Sequence, residues 1–111
     1  MHFDDDKLKA QARKNEFRRN NGAVLRAVNI IRTDYVQLDT VLSALQPKIG
    51  RSEVMDCINY LAEAEYIKLR IIGTNRSSSL ADSDFDELEA KLTAKGIQLI
   101  NGASDDPCID L

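Results

Sequence analysis

The stretch "RSEVMDCINYLAEAEYIKLR", Arg51 to Arg70, decides how the chain folds. Val54, Ile58 and Leu61 recur at i, i+4 and i+7, with Met55 and Ala62 at the margins, a spacing that predicts an amphipathic helix with one buried stripe. Ser52 is placed to accept backbone N–H bonds as its N-cap, and the helix is expected to end near Glu65, where "YIKLRII" turns strand-like. Just upstream, "PKIG" joins Pro47, which cannot continue a helix, to Gly50, which tolerates positive φ, so a tight turn is expected there. From Glu53 to Glu65 the only charges are negative. Any role given to this helix has to account for them.

Working outward, "LDTVLSALQPKIG" repeats Leu38, Val41, Leu42 and Leu45 at i, i+3, i+4 and i+7, a second helix ending before Pro47, with Asp39 at the positive end of its dipole. "TDYVQ" is a short β-leaning link that could place Tyr35 and Val36 in a brief edge strand. In "GAVLRAVNIIR", Val24, Ala27, Val28 and Ile31 share one face and predict a buried helix. The segment "KLKAQARKNEFRR" is rich in helix formers and ends at "NNG", Asn20 to Gly22, which is expected to kink or break it. Downstream, "GTNRSSSLADSDFDE" is a polar loop that reads as an exposed excursion. "LEAKLT" then alternates Leu88, Ala90 and Leu92 with Glu89 and Lys91, as a strand returning to pair with residues 66 to 72. "TAKGIQLING" predicts a closing helix capped by Thr93 and stopped at Gly102, and "ASDDPCIDL" reads as a loose acidic tail.

At 111 residues the chain suits one domain burying about 65% of its unfolded surface. Apolar residues at 43% and charged residues at 30% are ordinary for a globular protein, and no apolar run approaches a membrane span. The acidic start "MHFDDDKLKA" lacks the pattern of a signal peptide, so a cytoplasmic location is expected. Cys57 and Cys108 have no CxxC spacing and no nearby histidine, so they read as free thiols, with no metal or cofactor expected. Net charge is −3 but unevenly spread: residues 1–76 hold 13 basic and 10 acidic side chains, residues 77–111 hold 2 and 8. The one concentrated basic segment holds Lys7, Lys9, Arg13, Lys14, Arg18 and Arg19 against Glu16 alone.

Helix, short strand, helix, tight turn, helix and β-hairpin, with the "S..V...I..L" core of the third helix, Tyr66 and Ile67 opening the hairpin and "LTAKGIQLI" closing it, resembles the winged helix-turn-helix regulators of the prokaryotic ArsR, MarR and PadR families. More narrowly, the size and the ending "LTAKGIQLINGASDDPCIDL" are similar to small ArsR-like winged-helix proteins of Mu-like prophages. The resemblance spans roughly residues 20–102. It implies an α+β, mostly helical fold with a two- or three-stranded antiparallel wing sheet. A basic helical arm (1–19) precedes that domain and an acidic tail (103–111) follows it. It also implies double-stranded DNA binding, transcription regulation and a homodimer. The cysteine-rich metal motif of ArsR sensors is absent, so metal sensing does not carry over. Where such sequences usually have glycine after "LAEA" this chain has Glu65, so either the turn avoids a left-handed residue or it bears about 1 kcal/mol of strain.

If the third helix enters a major groove, its outward positions are Ser52, Glu53, Asp56, Asn59, Tyr60 and Glu63. Asn59 can pair bidentately with adenine, Ser52 can serve several bases or a phosphate, Asp56 can accept from cytosine, and Tyr60 is a further base-facing candidate. Affinity would then come from phosphate neutralisation by Lys7, Lys14, Arg18, Arg19, Lys48, Arg51 and Arg76. Acid on the helix would weaken generic binding and sharpen choice. The competing class is a winged helix used as a protein-interaction module, whose acidic third helix and wing meet a basic partner. An enzyme is not expected: His2 is the sole histidine, there is no Gly-rich phosphate loop, and the carboxylates are scattered.

Overall fold

The computed structural model of the chain describes residues 2–111, and their side chains from Asp5 onward. In chain order the elements are α1 (His2–Val28), β1 (Val36–Gln37), α2 (Leu38–Leu45), α3 (Arg51–Glu63), β2 (Ile67–Ile71), a 3₁₀ turn (Phe85–Glu87), β3 (Leu88–Leu92) and α4 (Ala94–Ile100). The strands form one antiparallel sheet in the order β1-β3-β2, so the protein is α+β with four α-helices and a three-stranded sheet. The 27-residue α1 is about 40 Å long, and the molecule measures 54 × 31 × 23 Å. No helix of the described residues is long and apolar enough to cross a membrane.

The core gathers Val24, Leu25 and Val28 of α1, Leu38 and Val41 of α2, Val54, Ile58 and Leu61 of α3, and Leu88, Ala90 and Leu92 of β3. Alternation in the strands follows from the pleat: Ile67 faces Leu92, Leu69 faces Ala90 and Ile71 faces Leu88, all toward the helices. Thr93 caps α4 as expected, its hydroxyl accepting from the Gly96 N–H at 3.1 Å, and Gly102 ends the chain's last helical segment at φ 78°.

Five expectations are corrected. The helix does not break at Asn20–Gly22; α1 runs through it as one element. Gly22 is there because the tail crosses it: a Cβ at this position would lie 1.9 Å from the Asp110 carbonyl oxygen. The helix then stops at Val28, which leaves Ile31 outside it and 49% exposed. The cap of α3 is Gly50, in extended backbone and without a side-chain bond, and Ser52 sits inside the first turn. The polar loop is not a free excursion: it folds back along β2, with the Ser78 N–H donating to the Leu69 carbonyl at 3.2 Å and Phe85 buried against the body.

The fifth correction is the C-terminal segment, which is docked. Ile109 is buried, the Asp110 N–H donates to the Arg18 carbonyl at 3.0 Å, and the fully buried Asn21 donates its Nδ2 to the Cys108 carbonyl at 3.0 Å. Asp106 is its anchor. Its carboxylate accepts from the hydroxyls of Tyr66 at 2.6 Å and Tyr60 at 2.9 Å, and from the Cys108 N–H at 2.7 Å.

Of the two alternatives at Glu65, the chain takes the left-handed one, with φ 67°. The Tyr66 N–H reaches the Leu61 carbonyl at 2.9 Å and the Glu65 N–H reaches that of Ala62 at 3.0 Å, the paired bonds of a Schellman turn, with Tyr66 and Leu61 both buried beside it. The Thr93 hydroxyl donates to the Glu65 carbonyl at 2.6 Å and ties this turn to the start of α4.

Candidate nucleic-acid interface

Residues 46–50 join α2 to α3, and the turn carries Lys48 and Ile49 to the side of α1. There Arg19, Arg26 and Lys48 line one groove of about 520 Å³ together with Glu16, Asn20, Ala23, Ile49, Asp110 and Leu111. Arg19 and Lys48 were expected among the phosphate contacts. Arg26 was missed: two turns beyond Arg19, it shares that face only because the helix continues through Gly22. Three cations converge on a groove floored by Ala23 and Ile49, with the Asp110 and Glu16 side chains as partial counter-charge.

The other expected cations lie apart from it. Lys14 and Arg18 line a second cleft, with Phe17, Pro107 and Cys108, and Lys7 is exposed nearer the start of α1. Arg51 opens α3 and sets its guanidinium 4.8 Å from the centre of the Phe85 ring. Arg76 is exposed in the β2–β3 loop, its carbonyl accepting from the Ile71 N–H at 2.9 Å.

On α3, Ser52, Asp56 and Asn59 are exposed as expected, but Asp56 and Asn59 line different grooves. Asn59 lines a groove of about 360 Å³ between α3 and the returning loop, with Ala62, Glu63, Lys68 and Ser77 to Leu80. Asp56 and Glu53 line a cleft against α1 with Arg13, Glu16, Phe17 and Asn20. Tyr60 is half-buried rather than outward. Its ring meets Phe17 edge-on, with centroids 5.6 Å apart, and its hydroxyl is given to Asp106, so it is not free to read a base.

The tyrosine hydroxyls stay protonated over a wide range. Burial first, then the hydrogen bond to Asp106, push Tyr66 up to about 12, and the same causes raise Tyr60 further. Burial would raise Asp106, but the hydrogen bonds from Tyr66, the Cys108 N–H and Tyr60, with the charge of Lys95, outweigh it and hold the carboxyl below its usual value. Cys57 is pushed up to about 12 by burial and by the charges of Asp56 and Glu53, so its thiol is inert. Among the described residues no cluster of His, Cys, Asp or Glu is placed to hold a metal ion. No family model, curated protein or solved structure matches the chain.

Proposed function

We propose that this chain is a winged helix-turn-helix protein that binds double-stranded DNA, presenting α3 to the major groove and acting as a cytoplasmic, homodimeric transcription regulator. The observation that carries this reading is the convergence of Arg19, Arg26 and Lys48 in one groove at the turn that leads into α3. A helix whose outward edge holds Ser52 and Asn59, flanked by cations at its start and by a hairpin loop bearing Arg76, has the parts that position a duplex and read it. The resemblance drawn from the order of elements supports the same assignment. On α1, Leu8 is 68% exposed and offers an apolar side chain that a second copy would cover.

The test is fluorescence anisotropy with a random duplex across a salt series. The Arg19→Gln/Lys48→Gln variant is expected to flatten the slope of log affinity against log salt by about 1.8, since each lost phosphate contact removes about 0.9. A slope equal to that of the wild type, or no measurable binding by the wild type, overturns the reading. The second reading is a protein-interaction module. The exposed acids Glu53, Asp56 and Glu63 on α3 favour it. It requires binding to a basic peptide that Asp56→Asn weakens, with no affinity for DNA.

A further inference from the structure

The segment that follows α4 is laid over α1 and runs into the groove that Arg19, Arg26 and Lys48 line. What holds it there is backbone and apolar contact. Ile109 is buried, the Cys108 carbonyl accepts from Asn21 Nδ2 at 3.0 Å, and the Asp110 N–H donates to the Arg18 carbonyl at 3.0 Å. Gly22 leaves the room for this crossing, since a Cβ there would strike the Asp110 carbonyl oxygen.

The Asp110 side chain takes no part in that attachment. It is exposed, it lines the groove beside the three cations, and among the described residues it closes no ion pair with any of them. Glu16, the other carboxylate of the groove, belongs to α1 and stays where the helix stays. Asp110 belongs to a strap that the helix only carries. A carboxylate among three cations without a fixed partner attracts each of them through solvent and lowers the potential that an incoming phosphate meets.

We propose that Asp110 is a built-in competitor for phosphate: the strap brings an anion into the groove and holds the affinity for duplex DNA below what Arg19, Arg26 and Lys48 alone would give. This inference deepens the DNA-binding reading and rests on it. A phosphate entering the groove shares its cations with Asp110 or displaces it. Without that carboxylate the groove takes about one more phosphate contact, which steepens the slope of log affinity against log salt by about 0.9. If the two salt lines meet near 1 M, the gain at about 0.15 M salt is roughly fivefold.

The experiment is anisotropy of the full chain with a random duplex across a salt series, on variants whose thermal melts show them folded. Asp110→Asn is expected to raise affinity roughly fivefold at about 0.15 M salt. Gly22→Ala should raise it as well, with the charge of the chain unchanged, because the carboxylate leaves the groove with the displaced backbone. Asp105→Asn makes the same change of charge on an exposed residue of the same segment outside this groove, and is expected to leave affinity unchanged. An equal rise in Asp105→Asn overturns the proposal, because net charge alone then accounts for the effect. So does a rise in Asp110→Asn that persists when Arg19→Gln/Lys48→Gln is added, or no rise in Gly22→Ala when its Tm is lowered. If Asp110→Asn binds as the wild type does while Arg19→Gln/Lys48→Gln still flattens the slope, the competitor is refuted and the groove reading stands. If neither the wild type nor Asp110→Asn binds duplex, the groove reading fails and the competitor with it.

Discussion

Replacing Asp106 by alanine tests whether the C-terminal segment belongs to the fold. The carboxylate accepts three bonds, from Tyr66 at 2.6 Å, Cys108 N–H at 2.7 Å and Tyr60 at 2.9 Å. A hydrogen bond to a charged group contributes about 1.5–3 kcal/mol when shielded, but Asp106 is only partly buried and water replaces part of each. Taking roughly 1 kcal/mol per bond, the loss is about 3 kcal/mol, or roughly 8–15 °C in Tm for a chain of this size. Most of it should come from the Tyr66 hydroxyl, whose residue is only 5% exposed and would be left short of an acceptor. The pH dependence has a definite sign. The folded carboxyl is held below its usual value, so its stabilisation is complete above about pH 4 and is lost as the pH falls through the folded value. Melts of the wild type and Asp106→Ala, followed by circular dichroism, should differ most at neutral pH and converge in acid. Equal Tm values at pH 7, or a difference that persists undiminished in strong acid, would refute the hub.

Glu65→Gly should raise stability by about 0.5–1 kcal/mol, because relief of a left-handed side chain, roughly 1–2 kcal/mol, exceeds glycine's added cost of ordering; an unchanged or lower Tm removes the strain argument. Gly22→Ala separates two accounts by sign. On an uncovered helix alanine would stabilise by about 1 kcal/mol, whereas a Cβ facing the Asp110 carbonyl should displace the tail and lower the Tm, so a stabilised variant would rule out the crossing. Leu61→Ala should cost about 2–5 kcal/mol and Glu63→Ala under about 0.5 kcal/mol, and identical melting curves would mean that the faces of α3 are wrongly assigned.

Elements whose own periodicity meets the core were legible in the sequence. Leu38, Val41, Leu42 and Leu45 marked α2, and the alternation around Ala90 marked β3 and the partner it takes. What the sequence left hidden depends on a third element. Gly22 reads as a breaker until the tail is seen to need the space over it. Asp106 reads as loose acid because its two tyrosines lie 40 and 46 residues away. Tyr60 reads as outward because a helical wheel shows the margin of one buried stripe and cannot show that α1 covers that margin. Arg26 was hidden behind the same misread glycine, and with it the groove it completes.

The acid on α3 changes meaning once its surroundings are known. Glu65 lies beyond the helix, in the turn that ends it, and Glu53 and Asp56 border a cleft whose opposite wall carries Arg13. No ion pair closes across that cleft among the described residues, so the attraction is of the screened, surface kind that contributes about 1 kcal/mol or less. The edge toward the hairpin keeps Asn59 and Glu63, whereas the turn at the start of α3 leads to Arg19, Arg26 and Lys48. A duplex on α3 would thus meet attraction where its backbone passes the turn and selectivity, through one amide and one carboxylate, where its bases pass the helix. On the proposed reading, that division of charge is what would let an acidic third helix and a basic first one serve the same duplex.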